Sequence, residues 1–286
     1  MSSLFPFLQQ FLLDFARLTL WLGILAAVFV PMERFFGNPE RGPKSPLAGE
    51  VGYYFLNNLL PAMLLAAPLA FVAATARQLL PAAWLELLAS MPFALKLVVS
   101  LFLSELCSYW GHRLSHEWPL LWQFHARHHQ PEQVNWLTNS HNHPVDILWA
   151  RMTALFPLYA LGFAEPVAGR DNLIPILLLL FAAFWSFFIH ANVRWRLGPL
   201  EKLLVTPAFH HWHHTNDEWR DHNYATLLPI MDRLFGTHHL PDHFPPNYGI
   251  DDPSEMAPLL PFGPRPSSSG PSSPGPAPQS KRQPES

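Results

Sequence analysis

Five stretches of the chain are too apolar to sit in water, and this constrains the fold more than any other feature. They run from about Leu12 to Met32, Tyr53 to Ala74, Leu88 to Trp110, Ile147 to Phe163 and Leu173 to Ile189. Most approach the roughly 20 residues that a helix needs to cross a hydrocarbon core about 30 Å thick. The expectation is an all-α integral membrane protein with four or five transmembrane or re-entrant helices. The first stretch lacks a basic leader and a small-residue cleavage site, so it reads as an uncleaved span. Asp14 and Arg17, three residues apart, can pair on one helical face at its start. Lys96 and Arg151 lie inside the third and fourth stretches, near enough to an end for snorkelling to the headgroups. The fourth stretch is short for a full span. With the fifth it reads as a membrane hairpin over about 147–190, linked by a polar segment containing Glu165, Arg170 and Asp171.

Composition agrees. Hydrophobic residues make up 49% of the 286 and charged residues only 14%, where roughly 25% charged is usual for globular proteins. A net charge of -3 leaves no electrostatic footprint for nucleic acid. One cysteine, Cys107, excludes a disulfide framework, a cysteine-based zinc site and an iron–sulfur cluster. Basic residues fall on alternate loops: Arg34, Arg41 and Lys44, then Arg113 and Arg127, then Arg194, Arg196 and Lys202. The other loops carry little beyond Arg77 and Arg170, so the richer side is expected to be cytoplasmic. Three regions follow: N-terminal transmembrane helices over 1–111, a histidine-rich region with a helical cap over 112–251, and a tail over 252–286. The tail is so rich in Pro and Ser that disorder is expected.

All 16 histidines lie between His112 and His243. Three clusters stand out: His112 with His116, then His125 with His128 and His129, then His210 with His213 and His214. Spacings of three and four residues bring imidazoles to one side of a helix, so one short helix can supply several metal ligands. These eight, with His190 and a weaker His143, outnumber what one tetrahedral zinc can use, and two metals fit the count better. His112 and His116 follow the third span, His143 precedes the fourth and His190 ends the fifth, which places them on one membrane face. His211 reads as a neighbour of the site. His141 and His222 are undecided, and His238, His239 and His243 lack the ligand spacing. Glu105, seven residues before His112, is a candidate partner for an imidazole N–H, the alternative being a buried polar residue satisfied by another helix. A haem-bearing or metal-binding membrane electron carrier is the competing class, and a zinc hydrolase a third. Bis-histidine haem calls for pairs within the bilayer, and no HExxH motif supplies a hydrolase's general base.

The run Tyr109-Trp-Gly-His-Arg-Leu-Ser-His116, followed by Leu121-Trp-Gln-Phe-His-Ala-Arg-His-His129, resembles the sterol desaturase family of the fatty acid hydroxylase superfamily. Asn135-Trp-Leu-Thr with His143-Pro144, then His190-Ala-Asn-Val, Thr206-Pro207 with His210 to His214, Asn223-Tyr224 and Asp232-Arg-Leu-Phe-Gly-Thr237 continue the match over roughly 100–240. Two positions depart from the pattern: His141 stands where Arg is common, and Met231 where Trp is usual. The resemblance implies two iron ions held by His112, His116, His125, His128, His129, His190, His210, His213 and His214, with His143 a weaker tenth. It further implies hydroxylation or desaturation of a lipid C–H bond, on a sterol or fatty acyl chain for example, with O2 as co-substrate. The lipid would arrive from the bilayer. Electrons would come from outside the chain, from a reductase, a ferredoxin or a cytochrome b5-like protein.

Overall fold

The computed structural model describes residues 4–38, 47–164, 173–252, 254 and 256–258. Among these the elements are helical: α1 (Leu4–Phe36), α2 (Leu47–Leu79), α3 (Ala82–Ser90), α4 (Phe93–Glu117), α5 (Pro119–His129), α6 (Pro144–Ala160), α7 (Leu173–His190), α8 (Pro207–His213) and α9 (Ile230–Phe235). Short 3-10 helices cover Trp136–Ser140 and Gly198–Lys202. Arg41, Lys44, the link from Glu165 to Asp171 and the tail beyond Pro258 lie outside the described residues.

Among the described residues four helices are long and apolar enough to cross a membrane: Leu8–Phe36, Ala48–Leu79, Phe93–Glu117 and Leu173–His190. Large apolar side chains stand outward on them, among them Leu20 at 68% exposed and Phe71 at 72%. Lipid, not water, is the solvent that suits such a surface. At the start of α1, Arg17 donates to Asp14 at 3.1 Å, the expected pair.

The third apolar stretch is broken. Pro92 disfavours helix at the residue before it, Met91 is extended (φ -67°, ψ 131°), and α3 ends there. α4 then runs unbroken into the first histidines. The fourth stretch becomes α6, 17 residues long, which packs between α2 and α4 and is not among the membrane-length helices. Its Leu155, Leu158 and Tyr159 join Leu69 and Ala73 of α2 and Ile174 and Leu178 of α7 in one apolar cluster. This packing corrects the snorkelling expected of Lys96 and Arg151. Lys96 is 3% exposed, and Arg151 turns inward to donate from Nη2 to Asn58 Oδ1 at 3.1 Å.

A second cluster joins Leu25 and Phe29 of α1 to Tyr54, Trp136 and Phe187. Nearby, one Glu33 oxygen accepts from both Trp136 N (2.8 Å) and Asn192 N (2.7 Å), tying the end of α1 to the first 3-10 helix and the exit of α7. The third cluster lies under the histidines: Tyr109, Ile189, Val205, Phe209, Tyr224 and Met231. Packed structure also extends past the expected start of the tail. Met256 and Ala257 are buried, and Ala257 N donates to Gln123 O of α5 at 2.7 Å.

Candidate metal centre

The helices that carry the histidines are cut and aimed by local sequence. Pro119 forces Trp118 out of the helical region (φ -103°, ψ 113°), so α4 stops just past His116 and α5 starts in a new direction. Gly111 permits the close approach of α4 to α6, because a Cβ there would lie 2.6–2.8 Å from the Thr153 side chain. α8 is a seven-residue helix opened by Thr206, whose side chain accepts from Phe209 N, and by Pro207 in its first turn. His190 is the last residue of α7.

Nine of the ten expected ligands gather into two adjoining groups. His112, His116, His125, His129 and His213 form one, and His128, His190, His210 and His214 the other, with the ligand atoms of each group within 4.8 Å of one another. α5 and α8 divide their histidines in complementary fashion. The i, i+4 pair His125 and His129 serves the first group while His128 serves the second; His210 and His214 serve the second while His213 serves the first. A residue three along sits about 60° to one side of its reference and a residue four along about 40° to the other. The three-histidine pattern thus spans two centres.

Hydrogen bonds fix the imidazole tautomers. Nδ1 of His112 donates to Tyr224 O (2.6 Å), that of His213 to His222 O (2.9 Å) and that of His190 to Ser186 O (2.7 Å). Nδ1 of His125 donates to the Asp146 carboxylate (3.1 Å), and that of His116 to Asp221 (3.0 Å). Carbonyls and carboxylates only accept, so each of these rings carries a proton on Nδ1 and turns Nε2 inward. Nε2 of His112 then faces Nε2 of His125 at 3.1 Å. Nε2 of His190, His210 and His214 form a triangle with sides of 3.0–3.2 Å. With a lone pair on every Nε2, the form that ligates, such contacts repel unless a cation lies among them. Around a metal with N ligands at about 2.0–2.1 Å, neighbouring donors at right angles are about 3 Å apart.

The donor set fits iron. Imidazole suits iron among other transition metals, and five nitrogens exceed a tetrahedral zinc site. Nε2 of His116 and of His213 are buried with no protein partner, as donors aimed at a metal would be. Burial first, then the neighbouring imidazoles, holds His128, His129, His210, His213 and His214 well below the ordinary imidazole range. They are therefore neutral at physiological pH, the form that ligates.

His143 is the exception to the expected set. Its Nδ1 accepts from Val145 N (3.1 Å) and its Nε2 donates to Pro258 O (3.1 Å), so it caps α6 with both nitrogens committed. Glu105 does not meet an imidazole. It accepts from the backbone N–H groups of Thr226, Leu227 and Leu228 at 2.8–3.1 Å and so holds the loop that presents Tyr224 to His112. Asp232 fastens the same loop through Tyr224 N, Ala225 N and Thr237 Oγ1, and burial pushes its carboxyl up to about 6. His211 bonds Tyr248 and the Ala191 carbonyl, His141 bonds Glu50 and Gln130, and His222 contributes through its carbonyl. Asp146 and Asp221 were not singled out from sequence. Asp146 had a signal, an acid two residues after His143-Pro144; Asp221 had none.

A cavity of about 230 Å³ opens beside both groups. His112, His125, His128, His190 and His210 form its polar end. Ile147, Ala150, Ala154, Leu179 and Ala182 give it an apolar wall.

The family model for fatty acid hydroxylases matches residues 97–237, the stretch that holds every histidine of both groups. An ornithine lipid hydroxylase of Rhizobium tropici is 36% identical over 152 residues, 52% of this chain and 44% of that protein. The alkylglycerol monooxygenase of Homo sapiens is 36% identical over 130 residues, 45% of this chain and 27% of its own length. A very-long-chain aldehyde decarbonylase of Oryza sativa subsp. japonica is 29% identical over 142 residues, 46% of this chain and 21% of its own. The chain thus spans less than half the length of these relatives. No solved structure matches it significantly.

Proposed function

Because the chain carries a fatty acid hydroxylase domain over residues 97–237, we propose that it is a membrane-bound non-haem di-iron oxygenase acting on a lipid. The observation that carries the reading is the pair of imidazole groups, Nε2 inward, at the end of a cavity with an apolar wall. Two iron ions would be held by the five and the four imidazoles, and would supply O2 activation. The lipid loses a C–H hydrogen and gains a hydroxyl. The second oxygen atom leaves as water after taking up two electrons and two protons, both from outside the chain. Desaturation starts from the same hydrogen abstraction, and a sterol or an acyl chain would supply a C–H bond of either kind.

The protein's part is to hold nine neutral donors in place. Asp146 and Asp221 keep the His125 and His116 rings in the ligating tautomer, and the carbonyls of Tyr224, His222 and Ser186 do the same for His112, His213 and His190. The apolar wall seats the lipid and excludes water from the reacting carbon. Positive-inside asymmetry supports a cytoplasmic face for the histidines, where a reductase, ferredoxin or cytochrome b5-like donor has access. The competing haem reading is disfavoured by the donor count, since a haem iron takes at most two axial imidazoles, whereas five and four imidazoles converge here.

The test is metal analysis of purified protein together with lipidomics of cells with and without it. Two irons per chain and a lipid that gains one oxygen or loses two hydrogens are expected. A Soret band, or an unchanged lipid profile from iron-loaded protein, would overturn the reading.

A further inference from the structure

Among the described residues, the cavity beside the histidines holds one permanent cation that no carboxylate answers: Arg151 is the only Lys or Arg in its lining, and Asp146 the only carboxylate. Asp146 is engaged with Nδ1 of His125, not with Arg151. Among the described residues the single polar contact of Arg151 is the bond from Nη2 to Asn58 Oδ1. A guanidinium has five N–H groups, and none of the Arg151 nitrogens is sealed away without a partner. Arg151 lines the cavity, and its remaining N–H groups are not sealed within the protein. A cation beside an apolar wall is destabilising unless an anion pairs with it. Any metal held by the nine neutral imidazoles adds positive charge to the same space.

Position narrows the ligand. Arg151 lies five residues beyond Asp146, about 7.5 Å along α6 and about 140° around it, and both residues line the cavity. We infer that the lipid taken by this cavity carries an anionic group, a carboxylate or a phosphate, that seats on Arg151 within a few bonds of the carbon facing the histidines. The guanidinium fork suits either group through two parallel N–H···O bonds. This deepens the oxygenase reading and rests on it for the oxidation. The seating of the anion does not depend on it.

Binding tests the inference directly. The full chain in neutral phosphatidylcholine nanodiscs, metal-loaded and metal-free, is titrated with hexadecanoate, hexadecyl phosphate and hexadecanol. A charge-assisted bond contributes roughly 1.5–3 kcal/mol, so at least one anionic probe should bind about tenfold or more tightly than the alcohol. The order of the two anions separates carboxylate from phosphate. Arg151→Gln should erase the preference, while Arg151→Lys should keep part of it. Equal binding of all three probes to wild type, or an undiminished preference in Arg151→Gln, overturns the proposal. Should Arg151→Gln fail to fold, the wild-type order and the Lys variant still decide. Lipidomics runs separately: an intact anion preference without any oxidised lipid would sink the oxygenase reading and leave the anion site standing.

Discussion

Replacing Gly111 with alanine places a methyl group 2.6 Å from Oγ1, 2.7 Å from Cγ2 and 2.8 Å from Cβ of Thr153. Ordinary contacts between carbon atoms lie at about 3.5–4.0 Å, so α4 and α6 must part by about 1 Å. α6 cannot simply retreat, because α2 packs on its other side. Overpacking of this kind costs about 1–3 kcal/mol. His112 follows Gly111 directly, and the Gly111 carbonyl receives Trp149 Nε1 at 2.9 Å. The shift therefore reaches a ligand as well as the cavity wall, and a misplacement of about 1 Å can lower turnover about 10²-fold. Thermal unfolding in detergent, metal content and lipid oxidation would be measured for Gly111→Ala, Thr153→Gly and the double variant. Thr153→Gly alone should lose only a few tenths of a kcal/mol from helix propensity, because Thr is itself a poor helix former. The double variant should be more stable than the sum of the single losses and should recover much of the metal content. A Gly111→Ala protein with wild-type stability and turnover, or strictly additive losses, would refute the close-packing argument.

Further outcomes follow from the same geometry. Asp146→Asn removes the charge behind His125, and loss of such a partner lowers metal affinity about 10–100-fold; titration with a chelator would read it, and an unchanged affinity would make Asp146 merely structural. His128→Ala should empty the second group of metal, whereas His143→Ala should lose about 0.5–2 kcal/mol of cap stability and keep its metal, a contrast that elemental analysis and melting curves decide. In metal-free protein the five histidines on α5 and α8 held below the imidazole range bind fewer protons folded than unfolded once the pH is below about 6.5. Stability is thus complete above that pH and falls on acidification by up to about 1.4 kcal/mol per unit for each; a melting temperature that is flat from pH 7 to about 5 would contradict their burial. Truncation after Asp252 should destabilise α5 by roughly the 1.5–3 kcal/mol of one buried large side chain, since Met256 is 1% exposed; a melting temperature equal to that of the full chain would show that this contact contributes nothing.

The spacing of the histidines carried most of the site, because a ligand must be a particular residue type and a helix fixes where the next one falls. What it did not carry was the partition. His125, His128 and His129 read as one face, yet the turn between residues three and four along sends them to two centres. The acceptors behind the rings were largely hidden for another reason: Tyr224, His222 and Ser186 act through their carbonyls, which every residue has. His143 looked like a ligand because it precedes the fourth span on the face that the other histidines share, yet the start of a helix is also where a cap belongs. Lys96 and Arg151 were placed at the lipid boundary because hydropathy sees only depth. Which neighbour a side chain faces is set by α6 packing between α2 and α4, a tertiary fact.

α5 and α8 each lend histidines to both groups, and neither group can be completed without both helices. Whichever cation arrives first must draw α5 and α8 into register, and by doing so it arranges the donors for the second. The ordering entropy is spent once, so the second ion should bind more tightly than the first and a singly filled chain should be scarce at equilibrium. An enzyme wired in this way would be either fully charged with metal or without it, and cells short of metal would hold fewer competent copies instead of many half-competent ones.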